Sequence, residues 1–133
     1  MINVEFLIKM KNDNIIQKKS FDFALKIIEL YKELVIQKEF ILSKQLLRSG
    51  TSIGANVEEA LAGQSKKDFI AKMSLASKEA RETKYCLKLL QESQIVKRNF
   101  AIYIKSIDEI ISILTAIVKT SQIRFLNNST LKI

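Results

Sequence analysis

Glu58 and Glu59, then Glu79 and Glu82, form two close carboxylate pairs of the kind with which helical bundles hold metal ions between facing helices. Such centres complete their ligand sets with Glu-x-x-His pairs, and this chain contains no histidine. Cys86 is the single cysteine, so it has neither a second thiol for a disulfide nor an imidazole with which to bind zinc or become a nucleophile. Tyr31, Tyr85 and Tyr103 are the remaining groups able to move a proton, and nothing in their spacing brings them to the glutamates. The residues therefore build no catalytic, cofactor or metal site, and the chain reads as a non-enzyme. Glu79 and Glu82 stand among Lys78, Arg81 and Lys84, the composition of ordinary surface ion pairs.

Positive charge carries more information. Lysine and arginine outnumber aspartate and glutamate by 22 to 14, a formal charge of +8. That excess suits a polyanionic partner, and it equally keeps an apolar helical protein in solution. Lys44 and Arg48 lie four residues apart with no acid between them, a like-charge pair that an external anion would relieve. Lys78, Arg81, Lys84 and Lys88 form a second track, and Lys66, Lys67 and Lys72 add charge ahead of it. Each row alone reads first as a solvated face. Repeated around a homo-oligomer, the rows become a ring that multiplies weak phosphate contacts, which makes these nine residues the candidate nucleic-acid-binding set. No base-reading module accompanies them, so the expected binding is largely independent of sequence.

The segment Ser49, Gly50, Thr51, Ser52, Ile53, Gly54, Ala55 is poor in helix formers, each glycine costing about 1 kcal/mol relative to alanine. Two readings compete: close approach of a neighbouring backbone, and a phosphate cradle. A P-loop needs a preceding strand, more glycines and a following Lys-Ser or Lys-Thr, so helix packing is preferred for Ser49, Gly50, Ser52 and Gly54. Gln45 and Asn56 lie on or beside the same apolar stripe, where buried amides need partners and set register between helices.

These residues must be positioned by helices. The chain has 133 residues, 47% of them hydrophobic, no proline and three glycines, which is enough apolar material for one domain and very little to interrupt a helix. Ser20 is expected to cap a first helix carrying the rows Phe21, Ala24, Leu25, Ile28, Tyr31, Val35 and Phe23, Ile27, Leu30, Leu34. So wide a stripe exceeds one neighbour, leaving part of it for another subunit. After a connection at Lys38 to Phe40, Leu42, Leu46, Ser49, Ile53, Val57 and Ala60 mark a second helix ending near Ala62. Gly63 suits a left-handed residue beyond that end, and Ser65 to Asp68 resembles a capping box. Phe69, Met73, Ala76, Ala80, Thr83, Leu87 and Leu90 follow the spacing of a packing seam in a third helix. Asn99 is a cap for a fourth, with rows Ile104, Ile107, Ile111, Leu114, Val118 and Tyr103, Ile110, Ile113, Ile117. Short connections make the fold all-α, an antiparallel up-down-up-down four-helix bundle.

Residues 1–19 read as an N-terminal extension or leader, with Met10 a natural start; 20–122 as the bundle domain; and 123–133 as a frayed tail whose Arg124 and Lys132 can touch a polyanion. No secretory pattern or membrane span is visible, and one lone cysteine fits a reducing cytoplasm.

Gln45 to Asn56, reading QLLRSGTSIGAN, is followed by Glu59, Asp68-Phe69, Lys72-Met73, Ala76, Lys78 to Thr83 and Leu89-Leu90. In that order the chain resembles the bacterial 23S rRNA-intervening-sequence proteins, over roughly residues 10 to 122. The resemblance implies an antiparallel four-helix bundle that assembles as a homopentamer around a central opening. A related family, the accessory variability determinants of diversity-generating retroelements, resembles a basic pentameric barrel that binds nucleic acid and a reverse transcriptase. Gly54 stands where proline often follows Ser-Ile, and Cys86 where an aromatic is frequent, departures that bear on local packing. The expected partners are therefore the chain itself, RNA or DNA, and a nucleic-acid-processing protein, with no membrane. The competing expectation is a self-assembling protein-interaction scaffold without nucleic acid.

Overall fold

The computed structural model describes the backbone of residues 4–131 and the side chains of residues 4, 11 and 13–128, so Lys132 lies outside the described residues. Four helices follow one another: α1 (Val4–Ile36), α2 (Leu42–Leu61), α3 (Lys66–Ser93) and α4 (Ala101–Leu131). Among the described residues no strand interrupts them.

Both outer helices run further than their apolar rows suggested. Ser20 is not a cap: it lies inside α1, buried, with its hydroxyl donating to the Gln17 carbonyl. Nothing between Val4 and Ile36 breaks a helix, since that span holds neither proline nor glycine. For the same reason α4 continues through Asn127 and Asn128, residues that favour turns but do not forbid a helix.

Contacts between neighbours run in opposite order along the two members of each pair. Leu42, Ser49 and Glu59 of α2 meet Cys86, Thr83 and Lys72 of α3. Gln17 and Ile27 of α1 meet Glu58 and Gly50 of α2, while Arg81 and Lys84 of α3 meet Thr115 and Asp108 of α4. Lys19 to Glu109, 3.3 Å apart, ties α1 to α4. Falling numbers against rising ones is the order in which antiparallel neighbours meet.

The core lies along the bundle axis and takes Leu46, Ile53 and Val57 from α2 and Met73, Ala76, Ala80, Leu87 and Leu90 from α3, the expected stripes. On α1 it takes Phe23, Ile27, Leu30 and Leu34, and it leaves Phe21 and Leu25 exposed. On α4 it draws Ile107 and Leu114 from one row and Ile110 and Ile117 from the other. Two rows of similar hydropathy differ only in direction, and packing decides between them. Each fully buried Leu or Ile contributes about 1.5–3 kcal/mol over an exposed one.

The turns divide differently from expectation. Ser65 caps α3, its hydroxyl accepting from the Asp68 N–H at 3.0 Å. Gly63 is not left-handed; a Cβ there would stand 3.1 Å from the Ala60 carbonyl, a tight contact, and 2.6 Å from Asp68 Oδ2, whose side chain would have to turn aside. The left-handed positions are Lys38 and Gln94. At the end of α1, Lys38 N–H donates to Val35 and Glu39 N–H to Leu34, both at 2.9 Å, a Schellman motif with lysine where glycine is usual. Asn99 acts as expected, its Oδ1 accepting from the Ala101 N–H at 2.8 Å.

Candidate nucleic-acid interface

Arg48, Lys72, Arg81 and Lys84 each reach a neighbouring helix along the surface of the bundle. Arg48 crosses from α2 to α3, with Nη1 3.2 Å from Glu79 and Nη2 hydrogen-bonded to Glu82. The Glu82 hydrogen bond leads in raising its guanidinium pKa, against the smaller opposition of burial. Lys72 stands 2.9 Å from Glu59, whose hydrogen bond and charge raise the ammonium pKa. Lys84 stands 2.7 Å from Asp108, and Arg81 donates to Thr115 Oγ1 at 3.2 Å. These cations join helices to one another.

Lys44, Lys66, Lys67, Lys78 and Lys88 behave differently. All are exposed, and among the described residues none enters an ion pair. The carboxylates are meanwhile largely engaged: Asp22 with Lys18, Glu29 with Lys32, Glu33 with Arg98 and Glu109 with Lys19. The charge left facing solvent is therefore mostly lysine. It does not converge on one cleft; Lys66 lines an opening of about 390 Å³ at the α2–α3 turn with Phe69 and Arg124, while Arg81 lines a groove against α4.

The glutamate pairs have structural partners. Glu58 accepts from Gln17 at 3.0 Å, Glu59 holds Lys72, and Glu79 and Glu82 share Arg48 rather than the lysines beside them in sequence. Among the described residues no three His, Cys, Asp or Glu side chains gather as a metal site. Cys86 is buried, donates to the Leu42 carbonyl at 3.4 Å, and has a thiol pKa pushed up to about 11 by burial, which leaves it a packing residue.

The small residues of α2 serve both of its neighbours. Gly50 faces α1, where a Cβ would come within 2.9 Å of Ile27 Cγ2, and Gly54 faces Ser20 with room for one at 3.5 Å. Ser49 faces α3 and receives the Thr83 hydroxyl at 2.9 Å in a buried contact. Ser52 and Asn56 bond within their own helix, to the carbonyls of Arg48 and Ser52. Gln45 is exposed and Asn56 bonds within α2, so the buried polar contact between α2 and α3 is the hydroxyl pair and not an amide.

The most deeply buried acid among the described residues carries no motif that singles it out in the sequence. Glu39, 7% exposed, accepts the N–H groups of Ile41, Leu42 and Ser43 at 2.6–3.1 Å and so caps α2. Burial pushes its pKa up, and the three donated N–H groups with the Ser43 side chain together outweigh burial and leave it lowered. The available signal was an acid placed just before a first helical turn.

Among the described residues no helix is long and apolar enough to cross a membrane. No protein of curated function matches the chain. It is similar to a solved protein of unknown function from the S23 ribosomal protein family of Bacteroides thetaiotaomicron VPI-5482, with 48% identity, 81% of this chain and 98% of that one covered, and a TM-score of 0.78. Residues 12–116 match the family described as 23S rRNA-intervening sequence protein, and with these helices and this neighbour the chain belongs to that family.

Proposed function

We propose that this protein is a non-enzymatic, self-associating helical bundle that binds RNA or DNA through its unpaired lysines, largely without regard to base sequence. The observation that carries the reading is the division of its cations. Carboxylates engage Arg48, Lys72 and Lys84, while Lys44, Lys66, Lys67, Lys78 and Lys88 remain exposed and unpaired. Unpaired surface lysines keep condensed anions or phosphates as their available counterions, and each phosphate neutralised contributes to a steep salt dependence. Self-association would repeat the set around an axis and multiply it.

The test is fluorescence anisotropy with labelled RNA and DNA across a salt series. Affinity should fall steeply with salt, and reversing Lys44, Lys78 and Lys88 together to glutamate should weaken binding at least about tenfold at moderate salt. Helical content should persist, because none of the three joins helices. Binding that is absent or insensitive to salt ends the proposal.

A second reading, an assembly scaffold without nucleic acid, draws on exposed apolar side chains on the outer helices, Phe21 and Leu25 on α1 and Ile102 on α4. Light scattering addresses it directly. A strict monomer removes the scaffold and the repeated ring together.

A further inference from the structure

Lys78, Arg81, Tyr85 and Lys88 recur at intervals of three, four and three residues along α3, and all four are exposed. The same alternation on the opposite side of the helix buries Met73, Ala76, Ala80, Thr83 and Leu87. Lys78 to Lys88 thus forms a solvent-facing row about 15 Å long at the helical rise of roughly 1.5 Å per residue. The acids within that span, Glu79 and Glu82, are turned to α2 and held by Arg48.

Tyr85 in the middle of the row is 65% exposed, and among the described residues its hydroxyl has no hydrogen-bond partner. The other tyrosines differ. Tyr31 is half-buried, and Tyr103 accepts a hydrogen bond from Arg98 at 2.9 Å while the guanidinium sits 5.3 Å from its ring centre. Of the three tyrosines Tyr85 alone offers an open ring face, with Lys88 one turn after it, Lys78 two turns before it, and between them Arg81, which is exposed while donating to Thr115. Single-stranded nucleic acid is recognised by this combination, cations following the phosphates and an aromatic ring taking a base. A duplex, whose bases are already stacked, has no use for the ring.

Resting on the nucleic-acid reading above, we propose that the outward row of α3 binds single strands, with Tyr85 as the stacking platform between Lys78 and Lys88. The probes are fluorescein-labelled oligothymidylate and a blunt DNA duplex of equal length. Tyr85→Ala should weaken oligothymidylate binding by roughly tenfold, leave the salt slope unchanged and leave the duplex unaffected. Tyr85→Phe should bind as the native protein does. The chain lacks tryptophan, so Tyr85→Trp supplies a single indole whose emission oligothymidylate should quench. Equal affinity of native and Tyr85→Ala protein for oligothymidylate overturns the stacking role while leaving phosphate binding intact. An equal loss on the duplex overturns it as well, and points to a role other than stacking. Native protein that binds neither probe overturns the nucleic-acid reading itself.

Discussion

The two flanks of α2 hold their neighbours by different means. Towards α1 the buried contact is steric, Gly50 admitting Ile27 and Gly54 lying against Ser20, with one exposed hydrogen bond from Gln17 to Glu58 beside it. Towards α3 it is polar, with Ser49 receiving the Thr83 hydroxyl and Arg48 bridging Glu79 and Glu82. A steric contact tolerates salt and punishes added volume, whereas ion pairs half open to water tolerate volume and weaken with salt. The two flanks also bear on function. Arginine committed to the α2–α3 seam leaves the bundle's surface charge to lysines that join nothing.

The largest expected effect lies where both flanks share one support. Glu39→Gln should destabilise the protein by about 2 kcal/mol at neutral pH, since it removes a buried charge that receives three N–H groups at the start of α2. The native carboxyl titrates below its ordinary value of 4.5, so the unfolded chain takes up the proton first as pH falls. Its contribution is accordingly complete above that ordinary value and drains away as pH drops through the native one. Urea midpoints across pH should show an acid limb that is shallower in Glu39→Gln.

Next comes the steric flank, which the two glycines divide. Gly50→Ala should lose about 1–2 kcal/mol, overpacking against fully buried Ile27 outweighing the gain in helix propensity. Gly54→Ala, with ordinary contact at 3.5 Å, should instead gain up to about 1 kcal/mol. Thermal denaturation of the pair measures both, and equal shifts would erase the distinction drawn between them.

The smallest effect belongs to the polar flank. Arg48→Glu should cost about 1 kcal/mol, because its pairs are half exposed, and the loss should shrink in high salt. Lys78→Glu should leave stability within experimental error while reducing nucleic-acid binding. If both reversals destabilise alike, the division of cations into seam and surface is wrong. Charge reversal at Arg48, Arg81 or Lys84 is a poor probe of binding for the same reason, since each reaches a neighbouring helix.

Legibility followed the range of the interaction. The α3 start was readable from Ser65 and Asp68, whose contact spans three residues, and the seams of α2 and α3 were readable because one stripe dominates each helix. Ser20 misled because a residue suited to capping is also small, and here the small side chain lies against Gly54. Lys38 and Gln94 carried no signal, since neither residue type announces a left-handed backbone. The cations were identifiable as a set, but their division was not. Arg48 finds its carboxylates 31 and 34 residues away, on another helix.

By itself the sequence determined four helices, an all-α core and a surplus of positive charge, because periodicity, the absence of proline and formal charge are properties of the chain alone. Only the tertiary structure decided which apolar rows face the axis, which glycine admits a neighbour and which cations remain for a partner. Each of those depends on the distance between residues that the chain keeps far apart and that packing brings within a few ångströms.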